Sequence, residues 1–328
     1  MADQQALVTF STPASMREAI SGTIGSLAGV TYLSDLELSA RADALGAADV
    51  VLAWMPDREL RGPEEYAQLG SARLVQLMSA GVDQVPFGRI PEGVPVASNA
   101  GSYAGPMSEH VLAMALALAK HLPQRHADLV SGVFDQRTPN REIRGSVVSI
   151  LGYGGIGRAS ALLFRALGAR IRAVSRSPVA DDWVEHVGAA DALAAALEGA
   201  DIVVISLPLS RATRGAIGER ELSLMRPDAV MVNVARAAIV DEDALFRHLV
   251  EHPTFQVGID VWWDEPRGGP FSPRLPYLDL PNVLGSPHNS GITETSMADA
   301  ARMAAANVVR ALSGKAVHHL VDRSEYLG

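Results

Sequence analysis

Residues 147–157 read VVSILGYGGIG, and an Ala/Leu-rich segment continues from them to Leu167. The apolar run Val147–Leu151 predicts a buried strand, and the glycines after it predict a tight turn into a helix. In such a turn the second glycine lets the backbone approach a pyrophosphate, which faces the helix N-terminus. The segment therefore indicates a dinucleotide site, for which the candidate residues are Gly152, Gly154, Gly155, Ile156 and Gly157.

The residues after the next predicted strand bear on which dinucleotide binds. Strand Ile171–Val174 is followed by Ser175, Arg176 and Ser177, where an NAD enzyme usually has Asp or Glu for the ribose hydroxyls. A carboxylate would repel a 2′-phosphate, whereas a guanidinium and two hydroxyls can bind it. We expect NADP to be the preferred cofactor, with NAD possible. A solvated loop that is indifferent to the 2′ position is the alternative.

Outward from this turn, short apolar runs alternate with Ala-rich segments, which is typical of βα units and a parallel sheet. The predicted strands of the first hundred residues are Leu7–Phe10, Val30–Leu33, Val50–Trp54, Leu74–Met78 and Val94–Ser98. Those that follow are Val147–Leu151, Ile171–Val174, Ile202–Leu207, Val230–Val234, Val257–Val261 and Val283–Gly285. Helices are expected at Pro106–Arg125, as one long element, and at Thr293–Leu312. We expect two domains, one of residues 1–100 plus 289–328 and one of residues 101–288.

The bulk composition limits the class of protein. The chain has 328 residues, no cysteine, and 28 basic against 37 acidic residues, a formal charge of -9. It therefore has no basic stripe for nucleic acid and no disulfide framework or thiolate metal site. The start lacks the pattern of a signal peptide, and the longest apolar run, Val111–Ala119, is about half of what a membrane crossing needs. We expect a cytoplasmic protein with no metal, nucleic-acid or membrane partner.

Three segments that follow predicted strands carry chemistry. They bring one Arg, one Glu and one His, which are Arg236, Glu265 and His288. Ligands of open parallel sheets bind beyond the carboxyl ends of the strands, so these side chains should meet at one rim. Arg suits a substrate carboxylate, His suits proton transfer, and a Glu beside it would favour the imidazolium. Taken singly, Arg236 could pair with Asp241, Glu265 could be a surface carboxylate, and His288 could be structural.

These segments closely resemble the D-isomer-specific 2-hydroxyacid dehydrogenases in order and spacing, over most of the chain. The matching pieces are Ala80-Gly81-Val82-Asp83, Gly152–Gly157, Pro208-Leu209 with Thr213, Asn233–Arg236, Asp260–Pro266, and Pro287-His288 with Gly291. The resemblance implies an α/β fold of two doubly wound parallel-sheet domains. One would be a Rossmann dinucleotide-binding domain, and the other a smaller flavodoxin-like substrate domain. It also implies a cleft that closes on substrate, and a homodimer formed through the nucleotide domain.

The family's roles carry over to the matching positions. Arg236 would hold the substrate carboxylate and carbonyl, His288 would be the acid–base group, and Glu265 its orienting partner. The backbone amides of Ala80 and Gly81 would clasp the carboxylate. The positions implied for the cofactor, besides the glycine turn and the Ser175–Ser177 loop, are Pro208, Thr213, Val234, Ala235, Asp260 and Gly291. Asp260 would bind the nicotinamide carboxamide.

One position departs from the family pattern. Ala237 stands where the family has glycine after the arginine, and alanine would be strained there if that position needs φ > 0. It could instead narrow the pocket.

The implied activity is reduction of a small 2-keto acid, similar to glyoxylate or hydroxypyruvate, to the D-2-hydroxy acid with NADPH. Two alternatives stay open. One is a non-catalytic binding protein that senses dinucleotide, as co-repressor relatives do. The other is a different Rossmann enzyme, such as an amino-acid dehydrogenase, which would need a lysine at the substrate carboxylate.

Overall fold

In a computed structural model, residues 4–179, 181–266 and 268–327 are described, and they include every candidate site residue. The chain divides into two compact units, Met1–Tyr103 with Thr293–Gly328, and Ala104–Ile292. The boundaries expected from the sequence were residues 100 and 288. The roles expected for the two domains stay predictions.

The first unit contains a parallel sheet of five strands in the order β2-β1-β3-β4-β5. Its strands are β1 Gln5–Val8, β2 Gly29–Tyr32, β3 Val50–Ala53, β4 Leu74–Leu77 and β5 Val96–Ala97. Its helices are α1 Ala14–Ile24, α2 Arg41–Gly46, α3 Pro56–Glu59, α4 Gly62–Gln68 and α11 Ser296–Leu312. This is the flavodoxin-like strand order. Helices α1 and α11 pack on one face of the sheet, so the chain's last helix completes its first unit.

The second unit contains a seven-stranded parallel sheet in the order β12-β11-β10-β9-β6-β7-β8. Its strands are β6 Val147–Leu151, β7 Arg170–Val174, β8 His186–Gly188, β9 Ile202–Ile205, β10 Val230–Asn233, β11 Gln256–Ile259 and β12 Val283–Gly285. Its helices are α5 Ala104–Ala119, α6 Leu122–Val130, α7 Gly155–Ala166, α8 Leu193–Leu197, α9 Glu219–Leu224 and α10 Glu242–Glu251. This is the Rossmann order with a seventh strand at one edge. The predicted fold class is confirmed.

The second sheet is buried on both faces, which explains its apolar strands. In β9, Ile202 and Val204 join the core that includes α5 and α7, whereas Val203 and Ile205 join the core that includes α8–α10. Successive side chains of a strand point to opposite faces, so a strand covered on both sides must be apolar throughout.

The structure corrects the prediction of one helix over Pro106–Arg125. Two helices lie there, and the chain breaks at His121, which has φ 52. A left-handed residue cannot continue an α-helix, and Pro123, without an amide proton, suits the first turn of the next one. Strand β8 was missed, because its three residues His186–Gly188 lie at the sheet edge and lack an apolar run.

None of the helices in the described residues is both long and apolar enough to span a bilayer.

The glycine-rich turn is shaped by two close backbone approaches. Gly152 has φ +100, and a Cβ there would lie 2.6 Å from the backbone of Ser206 and Leu207. A Cβ on Gly157 would lie 2.1 Å from the carbonyl oxygen of Gly152. Helix α7 can therefore start directly against the end of β6 only because both residues lack a side chain.

The same substitution at two helical glycines should have opposite effects on the free energy of unfolding. Gly157→Ala must push α7 away from the turn and should destabilise the protein by ~1–3 kcal/mol or more, with loss of dinucleotide binding. Gly22→Ala is the matched control, since no atom lies within 4 Å of a Cβ built there. It should stabilise α1 by ~0.5–1 kcal/mol. Denaturant unfolding measures both, and a Gly157→Ala protein of unchanged stability would contradict the close packing.

Candidate active site

The three side chains predicted to carry the chemistry follow three neighbouring strands. Arg236 comes three residues after β10, Glu265 six residues after β11, and His288 three residues after β12. These strands are adjacent and parallel, so their carboxyl ends form one rim of the second unit. The structure thus places the three residues in loops at the same edge of the sheet.

Glu265 and His288 form a hydrogen-bonded pair. The His288 Nδ1 atom lies 2.8 Å and 2.9 Å from the two Glu265 carboxylate oxygens. The side chains are 37% and 38% exposed, so the pair faces open space rather than the core. The carboxylate also accepts a hydrogen bond of 3.1 Å from the Trp262 amide. This arrangement fixes the ring through Nδ1 and leaves Nε2 for proton exchange with a ligand.

The charge state of Glu265 follows from its surroundings. Burial alone would raise the pKa of this carboxyl group, but the hydrogen bond and charge of His288, the Trp262 amide and the charge of Arg236 lower the pKa below its ordinary value. Glu265 is therefore ionised at neutral pH. The contribution of Arg236 indicates that its guanidinium lies within electrostatic reach of the pair.

Arg236 is held by local backbone contacts. The Asn233 side-chain Nδ2 donates to the Arg236 carbonyl at 3.1 Å, and the Asn233 Oδ1 accepts from the Ala235 backbone amide at 3.0 Å. The Arg236 guanidinium donates to the Ala235 carbonyl at 2.8 Å. Ala237 opens a short 3-10 turn, and it is not among the described residues with positive φ. The strain considered for alanine at this position therefore does not arise.

Asp260 is buried and serves as an acceptor for the turn that carries His288. It accepts hydrogen bonds from the Ser286 hydroxyl at 2.5 Å and from the amides of Asn289 at 3.1 Å and Ser290 at 3.2 Å. Its side chain is 0% exposed. Burial raises its pKa, but these hydrogen bonds lower the pKa below its ordinary value overall. The family resemblance implies a contact of Asp260 with the nicotinamide, which stays a prediction. In the structure, the Asp260 carboxylate binds the turn that carries His288.

His110 also belongs to this site, although no sequence motif singled it out. Its Nε2 atom lies 3.0 Å from the Ser286 hydroxyl and 3.8 Å from Asp260, so helix α5 also contacts this network. No motif surrounds His110. The only signal was a histidine within a predicted amphipathic helix.

The glycine turn offers a cradle of the kind a dinucleotide needs. Gly154 is the N-cap of α7, and no described atom lies within 4 Å of a Cβ built on it. Gly155 and Ile156 begin this helix of twelve residues. The free amides of its first turn and the positive end of its dipole point toward that space. The open face of the turn therefore fits a pyrophosphate.

In the loop after β7, the predicted residue Ser175 is half-buried, whereas Arg176 and Ser177 are exposed. Three further polar residues, which no motif indicated, contact one another beside this loop. Asp181 accepts hydrogen bonds from Arg158 of α7 at 2.7 Å and from the Tyr153 hydroxyl at 3.1 Å. These contacts tie the loop to the glycine turn and put a second guanidinium near it.

The other predicted cofactor residues lie along the same rim or close to it. The Thr213 hydroxyl donates to the Pro208 carbonyl at 2.6 Å, which closes the loop after β9. Val234 and Ala235, after β10, are buried, and Gly291 follows the Asp260-bound turn.

The predicted substrate residues Ala80 and Gly81 belong to the first unit, in the segment after β4. Among the residues described here, no group of three His, Cys, Asp or Glu side chains could hold a metal ion.

Comparison with known proteins agrees with this geometry. Residues 112–290 match the family model described as D-isomer specific 2-hydroxyacid dehydrogenase, NAD binding domain. A glyoxylate reductase of Aeropyrum pernix is 32% identical over 268 residues, which cover 78% of each chain. A D-3-phosphoglycerate dehydrogenase of Methanocaldococcus jannaschii is 27% identical over 91% of this chain, which spans only 56% of that relative.

A solved structure extends the similarity to the whole chain. It is a D-isomer specific 2-hydroxyacid dehydrogenase from Xanthobacter autotrophicus in complex with NADPH and MES. It is 26% identical to this chain, with a TM-score of 0.81, and the match covers 99% of this chain and 100% of the other. The family match, the Rossmann order of the second unit and the Arg, Glu and His loops at its rim lead to one conclusion: this chain belongs to the D-isomer-specific 2-hydroxyacid dehydrogenase family.

Proposed function

We propose that this chain reduces a small 2-keto acid, such as glyoxylate or hydroxypyruvate, to the D-2-hydroxy acid with NADPH. The observation that carries the proposal is the Glu265–His288 pair at 2.8 Å on the rim that also presents Arg236. An imidazole held by a carboxylate is a proton donor, and a guanidinium beside it is a carboxylate receptor. Relatives that include a glyoxylate reductase and a hydroxypyruvate reductase support this substrate class.

Each residue has a role in the balanced reaction. NADPH, when bound, supplies the hydride for the keto carbon. Arg236 holds the substrate carboxylate and polarises the carbonyl. His288, protonated, gives its Nε2 proton to the carbonyl oxygen, so the products are the hydroxy acid and NADP. Ionised Glu265 stabilises the imidazolium before transfer and keeps the ring oriented. The predicted contact of Ala80 and Gly81 with the carboxylate stays a prediction.

The preference for NADPH over NADH is proposed from the loop after β7. Ser175, Arg176 and Ser177 can bind a 2′-phosphate through two hydroxyls and a guanidinium. Arg158 also lies beside this loop, but its charge is paired with Asp181 at 2.7 Å, so Arg176 is the cation proposed for the 2′-phosphate. The solved relative that contains NADPH agrees with a family that can use this cofactor.

The predicted homodimer has a candidate surface on the second unit. Helix α6 and the segment after it expose apolar side chains, with Val130 at 77% and Phe134 at 75% exposure. The others are Leu122, Leu129 and Val133. A contiguous exposed apolar patch is typical of an interface, and most oligomers of a single chain are symmetric dimers. The predicted cytoplasmic location has no further support and stays a prediction.

Removing the acid–base group should abolish most turnover and spare cofactor binding. We expect His288→Ala to lower kcat by ~10²–10⁴-fold while the Kd for NADPH stays within about twofold. NADPH oxidation with glyoxylate and hydroxypyruvate measures kcat, and fluorescence titration measures binding. His186→Ala, at an exposed position on β8, is the control. Unchanged turnover in His288→Ala would refute the role. Wild-type binding of NADPH without oxidation by any keto acid would favour the dinucleotide-sensing alternative.

Glu265→Gln should change the pH dependence of the reduction. The lowered pKa of Glu265 keeps it ionised through the neutral range, where it favours the protonated imidazole. Loss of that charge should move the basic decline of kcat/KM to lower pH, with a smaller effect at acidic pH. A profile of kcat/KM against pH for both proteins tests this, and coincident profiles would contradict it.

Arg176→Ala should weaken NADPH selectively. Loss of one charge-assisted contact of ~1.5–3 kcal/mol corresponds to a roughly ten- to hundredfold rise in KM for NADPH, with little change for NADH. Arg220→Ala, whose side chain is 79% exposed on α9, is the control. A wild-type preference for NADH would overturn the cofactor assignment.

Phe134→Asp should weaken self-association if the apolar patch is the dimer surface. Sedimentation of the wild type should give a dimer, and the variant should shift toward monomer because a charge enters an apolar interface. Val250→Asp, which alters a side chain 55% exposed on α10, is the control. A wild-type monomer, or a variant that remains a dimer as stable as the wild type, would rule out this surface.

A further inference from the structure

A cavity of about 390 Å³ lies against the Glu265–His288 pair in the second unit. Its volume falls within the usual range of small-molecule sites. Its walls come from the connection between β11 and β12 and from the end of β12. The lining residues are Trp262, Glu265, Pro266, Phe271, Leu278, Gly285, Ser286, Pro287 and His288.

The aromatic wall of the cavity is held in place. The Trp262 indole donates to the Ser286 carbonyl at 2.9 Å and meets the Phe271 ring edge-on at 4.9 Å. A Cβ on Gly285 would lie 2.8 Å from the Trp262 ring, so the indole lies directly over the strand. The ring therefore cannot move closer to β12.

The described lining offers no cation for a second anionic group of a substrate. Its charged members are Glu265 and His288, which pair with each other. Arg274, in the same connection, donates instead to Glu242 at 2.7 Å and Asp243 at 2.9 Å. The rings of Trp262 and Phe271 and the Leu278 side chain give the cavity an apolar wall, which suits an apolar substituent.

The cavity borders the residue proposed to give the proton, since His288 and Glu265 both line it. A keto acid whose carbonyl oxygen accepts the His288 proton carries its substituent on that same carbonyl carbon. The substituent can therefore reach the wall formed by Trp262 and Phe271.

We propose that this cavity binds the side chain of the substrate, and that the preferred 2-keto acids carry a bulky apolar substituent. The inference rests on the proposed function. It adds an order of preference among 2-keto acids, because glyoxylate has only a hydrogen in place of the side chain and would leave the cavity unfilled. The Phe271 and Leu278 side chains, 36% and 55% exposed, become specificity determinants.

The test compares kcat/KM for glyoxylate, phenylpyruvate and 2-oxoglutarate with NADPH. We expect phenylpyruvate to exceed glyoxylate by about tenfold or more, because several apolar carbons enter an apolar pocket. We expect 2-oxoglutarate, with a carboxylate on its side chain, to be the poorest of the three.

Two variants at exposed wall positions assign the effect to the cavity. Phe271→Ala should lower the ratio of kcat/KM for phenylpyruvate over glyoxylate by about tenfold. Leu278→Arg should raise the ratio for 2-oxoglutarate over phenylpyruvate, because it adds a cation to the wall. Val250→Ala, an exposed apolar position on α10, is the matched control and should leave both ratios within about twofold.

The outcomes separate the inference from the proposed function. Turnover that favours glyoxylate, with ratios unaffected by Phe271→Ala, retains the reductase and overturns the side-chain subsite. If no keto acid is reduced, the proposed function fails. Tryptophan fluorescence titrated with phenylpyruvate then decides the subsite: binding that Phe271→Ala weakens supports it, and no binding overturns it.

Discussion

The carboxylate of Asp260 holds the turn on which His288 lies, and the geometry of the acid–base pair depends on this contact. His288 has φ 51, a conformation that costs free energy in a residue other than glycine. The hydrogen bonds from Ser286, Asn289 and Ser290 to the buried carboxylate offset that cost. They restrict the backbone on both sides of His288, so the imidazole is pre-organised for its hydrogen bond with Glu265. This is how a rim loop can hold a reacting group as firmly as a strand would.

The sequence predicts the fold well where burial dictates residue type. The run Val147–Leu151 coincides with a strand that is buried on both faces, where apolar side chains predominate. Its one polar residue, Ser149, is buried and hydrogen-bonded to the Ala196 carbonyl. Prediction was wrong where geometry did not depend on hydrophobicity. The break at His121 is a single backbone conformation inside an apolar segment, and β8 at the edge has an exposed histidine. Neither leaves a periodic signal.

The candidate site shows the same division. The convergence of Arg236, Glu265 and His288 could be predicted, because the loops after neighbouring parallel strands share one edge of the sheet. His110 and Arg158 could not, since each acts through a partner far away in sequence, Ser286 and Asp181. The tryptophans are a further example, since Trp263 stacks on Tyr277 at 5.4 Å whereas Trp262 borders the cavity beside the pair. Both rings contact Tyr277, but only Trp262 is among the residues that line the cavity, and composition carries no such information.

The connection from Asp260 to Ser290 joins the proposed acid–base pair to the cavity wall through shared contacts. Trp262 donates its amide to Glu265 and its indole to Ser286, and Ser286 in turn donates to Asp260. The cavity wall and the acid–base pair are thus parts of one hydrogen-bonded network. A substrate side chain that displaced Trp262 would disturb the amide that orients Glu265, and with it the ring of His288. A poorly fitting substrate would therefore lose kcat as well as affinity, which is the behaviour expected when binding energy positions the reacting groups.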